Sequence, residues 1–489
     1  MRPRASFVLL GLLLAACGDD GGSAADTTTS TDATGTTGTA TDVTVGPTSS
    51  SGTDPASDST TSGADSSTGE PAAECGNGEV DEGEQCDDGN EVDDDECSNA
   101  CVARCGMIWN QNMPADFGAR ALSLDSTGNI AVLGWEFDPV RKMSSPTKRT
   151  YDVDGTLVNE QTASVAWIEY ANQDSVIDND DNTFVFADAQ EPGAVDKRLR
   201  LYKFDATMAE VFDVAMPPLV FAGGVIGEPT IDVDVTPEGD AVVVAQIEVA
   251  DGDDDVWVGK YSGVDGAQLW TTTYSGPLQG GFSTDSAGRV VVADDGTIFV
   301  GARVRNSFDQ QPVVLLRFAA DGGAAEIADA PFPDPGPNYE QDPIQFATNG
   351  AQTAIGIDVF ASGPGTSGSV VGLLEGDTFA WTVQAADDLE PTKDISLGFS
   401  QPAVAVDADG NVLVALSEIT DPDPTDGSID IEVVVARYDS TGAIQCSQHW
   451  VVPEADGHRQ PFRAEVLADG SLVVFGEGGS GIWIARFRQ

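Results

Sequence analysis

The chain has 489 residues, with 23 Lys and Arg against 81 Asp and Glu, and a formal net charge of −58. This excess excludes nucleic acid and anionic membrane surfaces as electrostatic partners, because no basic stripe is available to neutralise phosphates. Only two His are present, His449 and His458, which excludes most His-rich metal sites. Hydrophobic residues make up 40% of the chain, with 54 Gly and 26 Pro, enough for a sizeable core and many turns.

The N-terminus has the proportions of an export signal. Arg2 and Arg4 precede a short apolar run that ends at Ala16, too short to span a bilayer. The run closes in Leu-Ala-Ala-Cys17, which resembles a bacterial lipobox. The resemblance implies that residues 1–16 are removed and that Cys17 carries the lipid; the alternative is an ordinary signal peptide cleaved nearby. We therefore predict a lipoprotein of the cell envelope, anchored in the outer membrane and exposed at the surface.

Residues 17–74 are predicted to form a disordered linker. Positions 18–74 hold 25 Ser and Thr and ten Asp and Glu, without an aromatic residue, Lys or Arg. Such a segment cannot bury enough apolar area to offset the entropy of ordering. We predict that it holds the rest of the chain away from the lipid surface.

A cysteine-rich segment occupies residues 75–105. Its cysteines are Cys75, Cys86, Cys97, Cys101 and Cys105. In an exported chain this density implies disulfides, which so short a segment needs in order to fold. The run CGNGEVDEGEQCDDGNEVDDDECSNAC resembles the myxobacterial-type disulfide repeat of exported bacterial proteins, although Glu96 replaces the usual Gly. The resemblance implies an extracytoplasmic setting rather than an activity.

The same segment is rich in oxygen ligands. They are Asp87, Asp88, Asn90, Asp93, Asp94 and Asp95. Hard oxygen ligands at this density suit Ca²⁺, which takes six to eight of them, although the EF-hand spacing is not met. The alternative is a solvated acidic surface. Calcium is the one cofactor that the sequence suggests.

From about residue 106 the chain repeats. Turns rich in Asp, Asn and Gly precede β-branched runs whose starts lie 53 to 60 residues apart. These runs are Ile130–Glu136, Thr183–Ala189, Ala241–Glu248, Ile298–Val304, Thr353–Ala361, Val412–Glu418 and Leu472–Gly478. The period predicts an all-β fold, a seven-bladed β-propeller with four strands per blade over residues 106–489. The repeats resemble the short tandem propeller repeats of deltaproteobacterial surface proteins, which implies a fold and a surface setting but no reaction.

The ring is predicted to close through its N-terminus. The seventh unit ends after its third strand, and the segment from Gly106 to Trp109 is expected to supply the missing outer strand. Cys105 lies beside this segment, and Cys446 lies in the outer strand of unit six. Since five cysteines in the small segment leave one unpaired, a Cys105–Cys446 disulfide would clip the closure. A free Cys446 or another pairing are the alternatives.

Long loops on one face of the propeller are the predicted binding surface. We expect a protein or polysaccharide ligand there, and a monomeric chain. Several of these loops are acidic, which favours either cations and basic partners or a solvated surface. Their acidic residues are Asp251, Asp253, Asp254, Asp255, Asp387, Asp388, Glu390, Asp421, Asp423 and Asp426.

Three functions are open at this stage, and the sequence names no catalytic residue. The propeller contains no HExxH, GxSxG or P-loop motif. The main prediction is a binding or display module that is not an enzyme. The first alternative is an extracellular hydrolase or lyase acting on a polymer, with carboxylates and His458 or Arg459 around the central channel. The second is a calcium-stabilised structural envelope protein. Trp270, in a faint version of a quinoprotein docking motif, is expected only to pack between blades.

Overall fold

The computed structural model describes part of the cysteine-rich segment and most of the propeller. The described residues are 75–78, 80, 84–87, 89–90, 97–99, 101–167, 173–189, 198–216, 231–250, 253–277, 283–304, 313–323, 326–327, 339–341, 345–361, 368–376, 378–385, 402–422, 429–450, 460–478 and 481–489. The predicted signal, Cys17 and the linker lie outside them. Within the described part of the chain, no helix is long and apolar enough to cross a membrane.

The described strands number thirty. In chain order they are β1 (Met107–Asn112), β2 (Phe117–Leu124), β3 (Ile130–Asp138), β4 (Met143–Tyr151), β5 (Leu157–Thr162), β6 (Gln173–Ile177), β7 (Thr183–Ala189), β8 (Arg198–Phe204), β9 (Glu210–Ala215), β10 (Ile231–Val235), β11 (Ala241–Ala250), β12 (Asp253–Tyr261), β13 (Gln268–Tyr274), β14 (Ser283–Thr284), β15 (Ser286–Val292), β16 (Ile298–Arg303), β17 (Val313–Phe318), β18 (Glu326–Ile327), β19 (Tyr339–Gln341), β20 (Gln345–Thr348), β21 (Gln352–Ala361), β22 (Gly368–Glu375), β23 (Thr378–Gln384), β24 (Ala403–Val406), β25 (Val412–Pro422), β26 (Ile429–Tyr438), β27 (Ile444–Trp450), β28 (Gln460–Val466), β29 (Leu472–Gly478) and β30 (Gly481–Phe487).

These strands form seven sheets, which are the blades of a propeller. Blades 1 to 6 are β2–β5, β6–β9, β10–β14, β15–β18, β19–β23 and β24–β27, and blade 7 has the order β28-β29-β30-β1. The predicted all-β, seven-bladed fold is therefore confirmed. The predicted closure is also confirmed, because β1 pairs antiparallel with β30, with Asn110 opposite Ala485.

Short Asp-Gly turns close the hairpins, as their sequences predict. In the turn of the first hairpin, which holds Asp125 and Gly128, Asp125 Oδ1 accepts the backbone N–H groups of Thr127 and Asn129, both at 2.9 Å. Gly128 has a φ of +80°, which a glycine adopts without a steric cost. An Asp side chain that bonds its own turn in this way replaces backbone pairing that a strand would supply.

The core lies between neighbouring blades. Every residue of β7 is buried, so its alternating side chains contact blade 1 on one side and blade 3 on the other. Phe184, Phe186 and Leu201 of blade 2 pack against Val243 and Trp257 of blade 3. Because both faces of such a central strand are covered in this way, its sequence is an apolar run rather than a clean alternation.

Three tryptophans in outer strands each connect their own blade to the following one. Their Nε1 atoms donate to backbone oxygens of the following blade: Trp109 to Val153 at 2.9 Å, Trp270 to Ala320 at 3.2 Å and Trp381 to Ser440 at 3.0 Å. The expected packing role of Trp270 is confirmed. The same packing role was expected of the other tryptophans, and Trp109 and Trp381 make the same contact.

Each of these rings covers a turn glycine, and this predicts a stability difference. A Cβ at Gly322 would lie 2.4 Å from Trp270, and its φ is +80°. Gly470 has a φ of +86° with nothing within 4 Å. We expect Gly470→Ala to cost about 1 kcal/mol of unfolding free energy through its φ. Gly322→Ala should cost about 3 kcal/mol, since overpacking adds to the same strain. Urea unfolding of both variants measures this, and equal losses would contradict the packing argument.

The cysteine-rich segment is attached to the rim of the ring. Its disulfides are Cys75–Cys101 and Cys86–Cys97, and Cys105 bonds to Cys446 in β27. Arg488 reinforces this attachment, since its Nη1 donates to the Val102 oxygen at 2.7 Å and its backbone N–H donates to the Gly106 oxygen at 2.8 Å. The disulfide therefore joins blade 6 to the segment that precedes the closing strand of blade 7.

Candidate functional site in the central channel

The innermost strands β2, β6, β10, β15, β20, β24 and β28 surround the central channel. Each of these strands pairs with the following strand up to a hairpin turn. The last residue pair before that turn marks an equivalent position in every blade, for example Val466 opposite Leu472. Three residues before that pair lies the position we call the first ring: Ala121, Asp174, Asp232, Arg289, Gln345, Ala403 and Arg463. Two residues further lies the second ring: Ser123, Val176, Asp234, Val291, Ala347, Ala405 and Glu465.

The two rings line one cavity of about 250 Å³. All but Ala403 of the first ring and all but Ala405 of the second contribute to its wall. Each innermost strand enters from a blade connection and leaves into a short hairpin turn. The first ring is thus nearer the face of the long connections, and the second ring is nearer the face of the short turns. A cavity of this size has room for one sugar unit.

The first ring is an ion-pair network that crosses the channel. Arg289 Nη1 donates to Asp232 Oδ1 at 2.8 Å and also to Asp174 Oδ2. Arg463 donates from Nη2 to the same Asp174 oxygen and from Nη1 to Gln345 Oε1 at 3.1 Å. Blades 2, 3, 4, 5 and 7 are therefore joined through four charged side chains and one amide.

Asp232 links the ion pairs to the backbone of the next blade. Its Oδ2 accepts the Val290 N–H at 2.7 Å, and its side chain is among the buried ones. Burial raises the pKa of Asp232 well above its ordinary value; Arg289 opposes this rise and the charge of Asp174 adds to it. The negative charge of Asp174 thus favours the protonated form of Asp232, and the guanidinium of Arg289 favours the ionised form.

The second ring holds two carboxyl groups whose pKa values lie close to neutrality. Burial raises the pKa of Glu465 to about 8, and the charge of Asp234 contributes. Burial also raises the pKa of Asp234 to about 6, against the N–H groups of Val292 and Val235 that its oxygens accept at 2.7 and 2.8 Å. Near pH 7 Glu465 is thus mostly protonated and Asp234 mostly ionised.

Arg463 is the residue whose loss should disturb the first ring most. Its side chain is 17% exposed and lies against Asp174, which is 6% exposed. We expect Arg463→Met to lower the free energy of unfolding by about 3 kcal/mol, because it leaves a buried carboxylate short of a partner. Arg141→Met is the control, since Arg141 and Asp138 form an exposed pair that should contribute almost nothing. Urea unfolding measures both, and an equal, small effect would mean that water replaces the guanidinium.

The sequence analysis expected channel carboxylates beside His458 or Arg459. The carboxylates are present, but the cation that meets them is Arg463, in β28, together with Arg289 of blade 4. His458 and Arg459 lie outside the described residues. The available signal was positional: a polar residue three places before the end of five of the seven innermost strands.

Part of the predicted acidic loop surface is not loop. Asp253, Asp254 and Asp255 belong to β12, which pairs with β11 up to Ala250, and Asp254 and Asp255 are buried. Asp421 likewise lies in β25. These acidic loops are therefore shorter than predicted from the sequence, because the hairpin strands continue further than their β-branched centres. Six residues of the predicted acidic loop surface lie outside the described part of the chain: Asp251, Asp387, Asp388, Glu390, Asp423 and Asp426.

The predicted calcium ligands are described only at Asp87 and Asn90. Asp87 accepts the backbone N–H groups of Gly76, Asn77, Gly78 and Gly89 at 2.7 to 3.0 Å, so its carboxylate organises the turn between the cysteines. The other four residues, Asp88, Asp93, Asp94 and Asp95, lie outside the described residues. Calcium binding stays a prediction.

No protein-family model and no curated protein sequence matches the chain. The solved structures that are similar to the propeller include three with named activities. The GH93 alpha-L-arabinofuranosidase of Fusarium graminearum is 11% identical, with a TM-score of 0.43, over 65% of this chain and 92% of that one. The Penicillium chrysogenum alpha-L-arabinanase is 12% identical, with a TM-score of 0.42, over 65% and 92%. A PL25 ulvan lyase is 10% identical, with a TM-score of 0.47, over 77% and 95%.

These comparisons correct one prediction from the sequence. The expectation that the chain is not an enzyme is contradicted, because these similar structures are an arabinofuranosidase, an arabinanase and an ulvan lyase. At 10 to 12% identity the likeness concerns the fold alone and transfers no residue roles. The main prediction placed function on the loops, and the alternative that placed carboxylates around the channel named no residue of the innermost strands.

Proposed function

We propose that the propeller is a glycoside hydrolase that cleaves an extracellular polysaccharide in its central channel. The observation that carries this proposal is the pair formed by Glu465 and Asp234, whose pKa values are about 8 and about 6. Glycoside hydrolysis needs one carboxyl group that is protonated and one that is ionised at the working pH. Environments that push two carboxyl pKa values apart assign those two roles.

In the proposed reaction Glu465 is the general acid and Asp234 the general base. Glu465 gives its proton to the glycosidic oxygen as the bond from that oxygen to the anomeric carbon breaks. The oxygen of a water molecule attacks the anomeric carbon, and Asp234 takes the proton that the water loses. The charge passes from Asp234 to Glu465, and exchange with solvent restores the pair. A base and an acid with pKa values near 7 are the most efficient at neutral pH.

The first ring supplies rigidity around this pair. Asp234 accepts the N–H of Val292 from blade 4, and Arg289 of the same strand binds Asp174 and Asp232. These contacts fix β10 against β15, so the carboxylate of Asp234 has a defined position in the channel. Preorganised groups of this kind avoid reorganisation during the reaction.

The cellular setting is proposed from the sequence. A lipid on Cys17 and the linker over residues 17–74 would hold the propeller outside the outer membrane. There it would meet polymers too large to enter the cell.

The experiment is a hydrolysis screen with the full chain on neutral and uronate-containing polysaccharides. New reducing ends report hydrolysis, and absorbance of unsaturated uronates reports elimination by a lyase. We expect Glu465→Gln and Asp234→Asn each to lower kcat/KM at least 100-fold, while Glu238→Gln, at an exposed turn residue, leaves it unchanged. Absence of cleavage on every polymer, or full activity in both channel variants, would overturn the proposal.

A further inference from the structure

The cavity wall carries no charged side chain at blade 1, nor at blade 6, whose part of the wall is Val404. At blade 1 the wall consists of Ala121, Leu122 and Ser123, so the first ring has an alanine there and the second ring a serine. Ser123 is half-buried and occupies the second-ring position of blade 1, adjacent to that of Glu465 in blade 7. A ligand beside Glu465 therefore meets a methyl group and a hydroxyl on this side rather than a charge.

The two channel arginines are already bonded to protein acceptors. Arg289 donates to Asp174 and Asp232, and Arg463 donates to Asp174 and Gln345. A carboxylate of a substrate would have to displace one of these partners and leave an acidic side chain in the channel without its cation. Such an exchange costs the desolvation of a buried charge.

The channel also holds more acidic groups than basic ones. Four carboxyl groups face two guanidinium groups in the cavity wall. A further anion would be repelled by the carboxylate of Asp234, whose charge already acts on Glu465. The net charge of −58 over the whole chain opposes the approach of a polyanion as well.

From these three features we infer that the reacting unit of the substrate is an uncharged sugar, bound at the neutral blade 1 side of the cavity against Ala121 and Ser123. The inference rests on the proposed hydrolase function and adds the substrate class and a specificity-determining position. A hydroxyl group of the sugar can bond to Ser123 Oγ without displacing an ion pair. A uronate, a sulfated sugar or a phosphorylated sugar is excluded by the same charges.

A matched pair of variants tests the position. Ser123→Ala keeps the space and removes only the hydroxyl, whereas Ser123→Leu fills the blade 1 side of the cavity. On the polymer identified in the screen, we expect Ser123→Ala to keep kcat/KM within about fivefold of the wild type, the loss of one neutral hydrogen bond. Ser123→Leu should lose at least 100-fold. Thermal unfolding of both variants shows whether they fold. Full activity in a folded Ser123→Leu would overturn the position.

A pair of inhibitors tests the charge. The free neutral sugar released from that polymer should inhibit the enzyme, and its uronic acid counterpart, which differs by one carboxylate, should bind at least 100-fold more weakly. If the screen shows cleavage of uronate or sulfated polymers and not of neutral ones, the inferred substrate class is wrong and the hydrolase proposal stands. If no polymer is cleaved, the hydrolase proposal itself fails, and the inference fails with it.

Discussion

Removal of the Cys105–Cys446 disulfide is expected to lower the Tm of the full chain by about 5 to 10 °C. The bond joins residues 341 positions apart, so it encloses almost the whole ring. In the chain-entropy description, a loop of this length gives about 5 kcal/mol of stability, and a propeller of this size loses about 1 to 2 °C per kcal/mol. The paired variant Cys105→Ser/Cys446→Ser avoids a free thiol, and differential scanning calorimetry gives the Tm.

The control is one of the two disulfides that lie within the small segment. Cys86 and Cys97 are separated by 11 residues and enclose no part of the propeller. Cys86→Ser/Cys97→Ser should therefore leave the main unfolding transition where it is. If Cys105→Ser/Cys446→Ser leaves the transition where it is, the closure of the ring does not depend on this disulfide, and β1 alone holds it. An equal shift in both double variants would contradict the loop-length argument.

The propeller was predictable because each blade repeats the same local chemistry. Asp-Gly turns and β-branched runs mark the hairpins, and the run Thr183–Ala189 coincides with β7. The outer-strand tryptophans were harder to recognise. Trp109 belongs to the closing strand, at the opposite end of the chain from the rest of its blade, so no repeat of the sequence aligns it with Trp270.

The channel site was not predictable from any single repeat. In the sequence, Asp174, Asp232 and Arg289 are single residues in three separate strands, and no shared motif marks them. They become a network only when seven strands meet around an axis, which brings Arg463 to Asp174 across 289 positions of the chain. The prediction of a binding surface on the loops also favoured long loops with acidic residues. Comparing equivalent positions of the innermost strands would have shown the two rings.

The stability of the chain is expected to fall as the pH rises from 5 to 9, and Glu465 is the main cause. Its pKa is about 8 in the folded state, against 4.5 ordinarily, so the folded state holds its proton more tightly than the unfolded chain. The stability that Glu465 contributes is therefore highest below about pH 4.5, and it falls until the folded state also loses the proton. The loss from this group is about 4 kcal/mol between pH 5 and 9, about 2 kcal/mol of it between pH 6 and 8.

Between pH 6 and 8, the contribution of Glu465 can be measured separately from the repulsion that the net charge of the chain produces. Surface carboxylates have already ionised below this window, with ordinary values near 4, so the repulsion due to the net charge of −58 changes little there. The contribution of Asp234, with a pKa of about 6, falls mainly below this window. Urea unfolding of the wild type at pH 6, 7 and 8 should show the loss, and Glu465→Gln should remove about 2 kcal/mol of it.

Glu238→Gln serves as the matched control, because the side chain is exposed and its loss should leave the pH dependence unchanged. If Glu465→Gln keeps the full slope of the wild type, Glu465 is ionised in the folded protein at neutral pH. It would then have no proton to donate to a glycosidic oxygen. This one stability measurement therefore tests the protonation state that the proposed reaction needs, before any substrate is known.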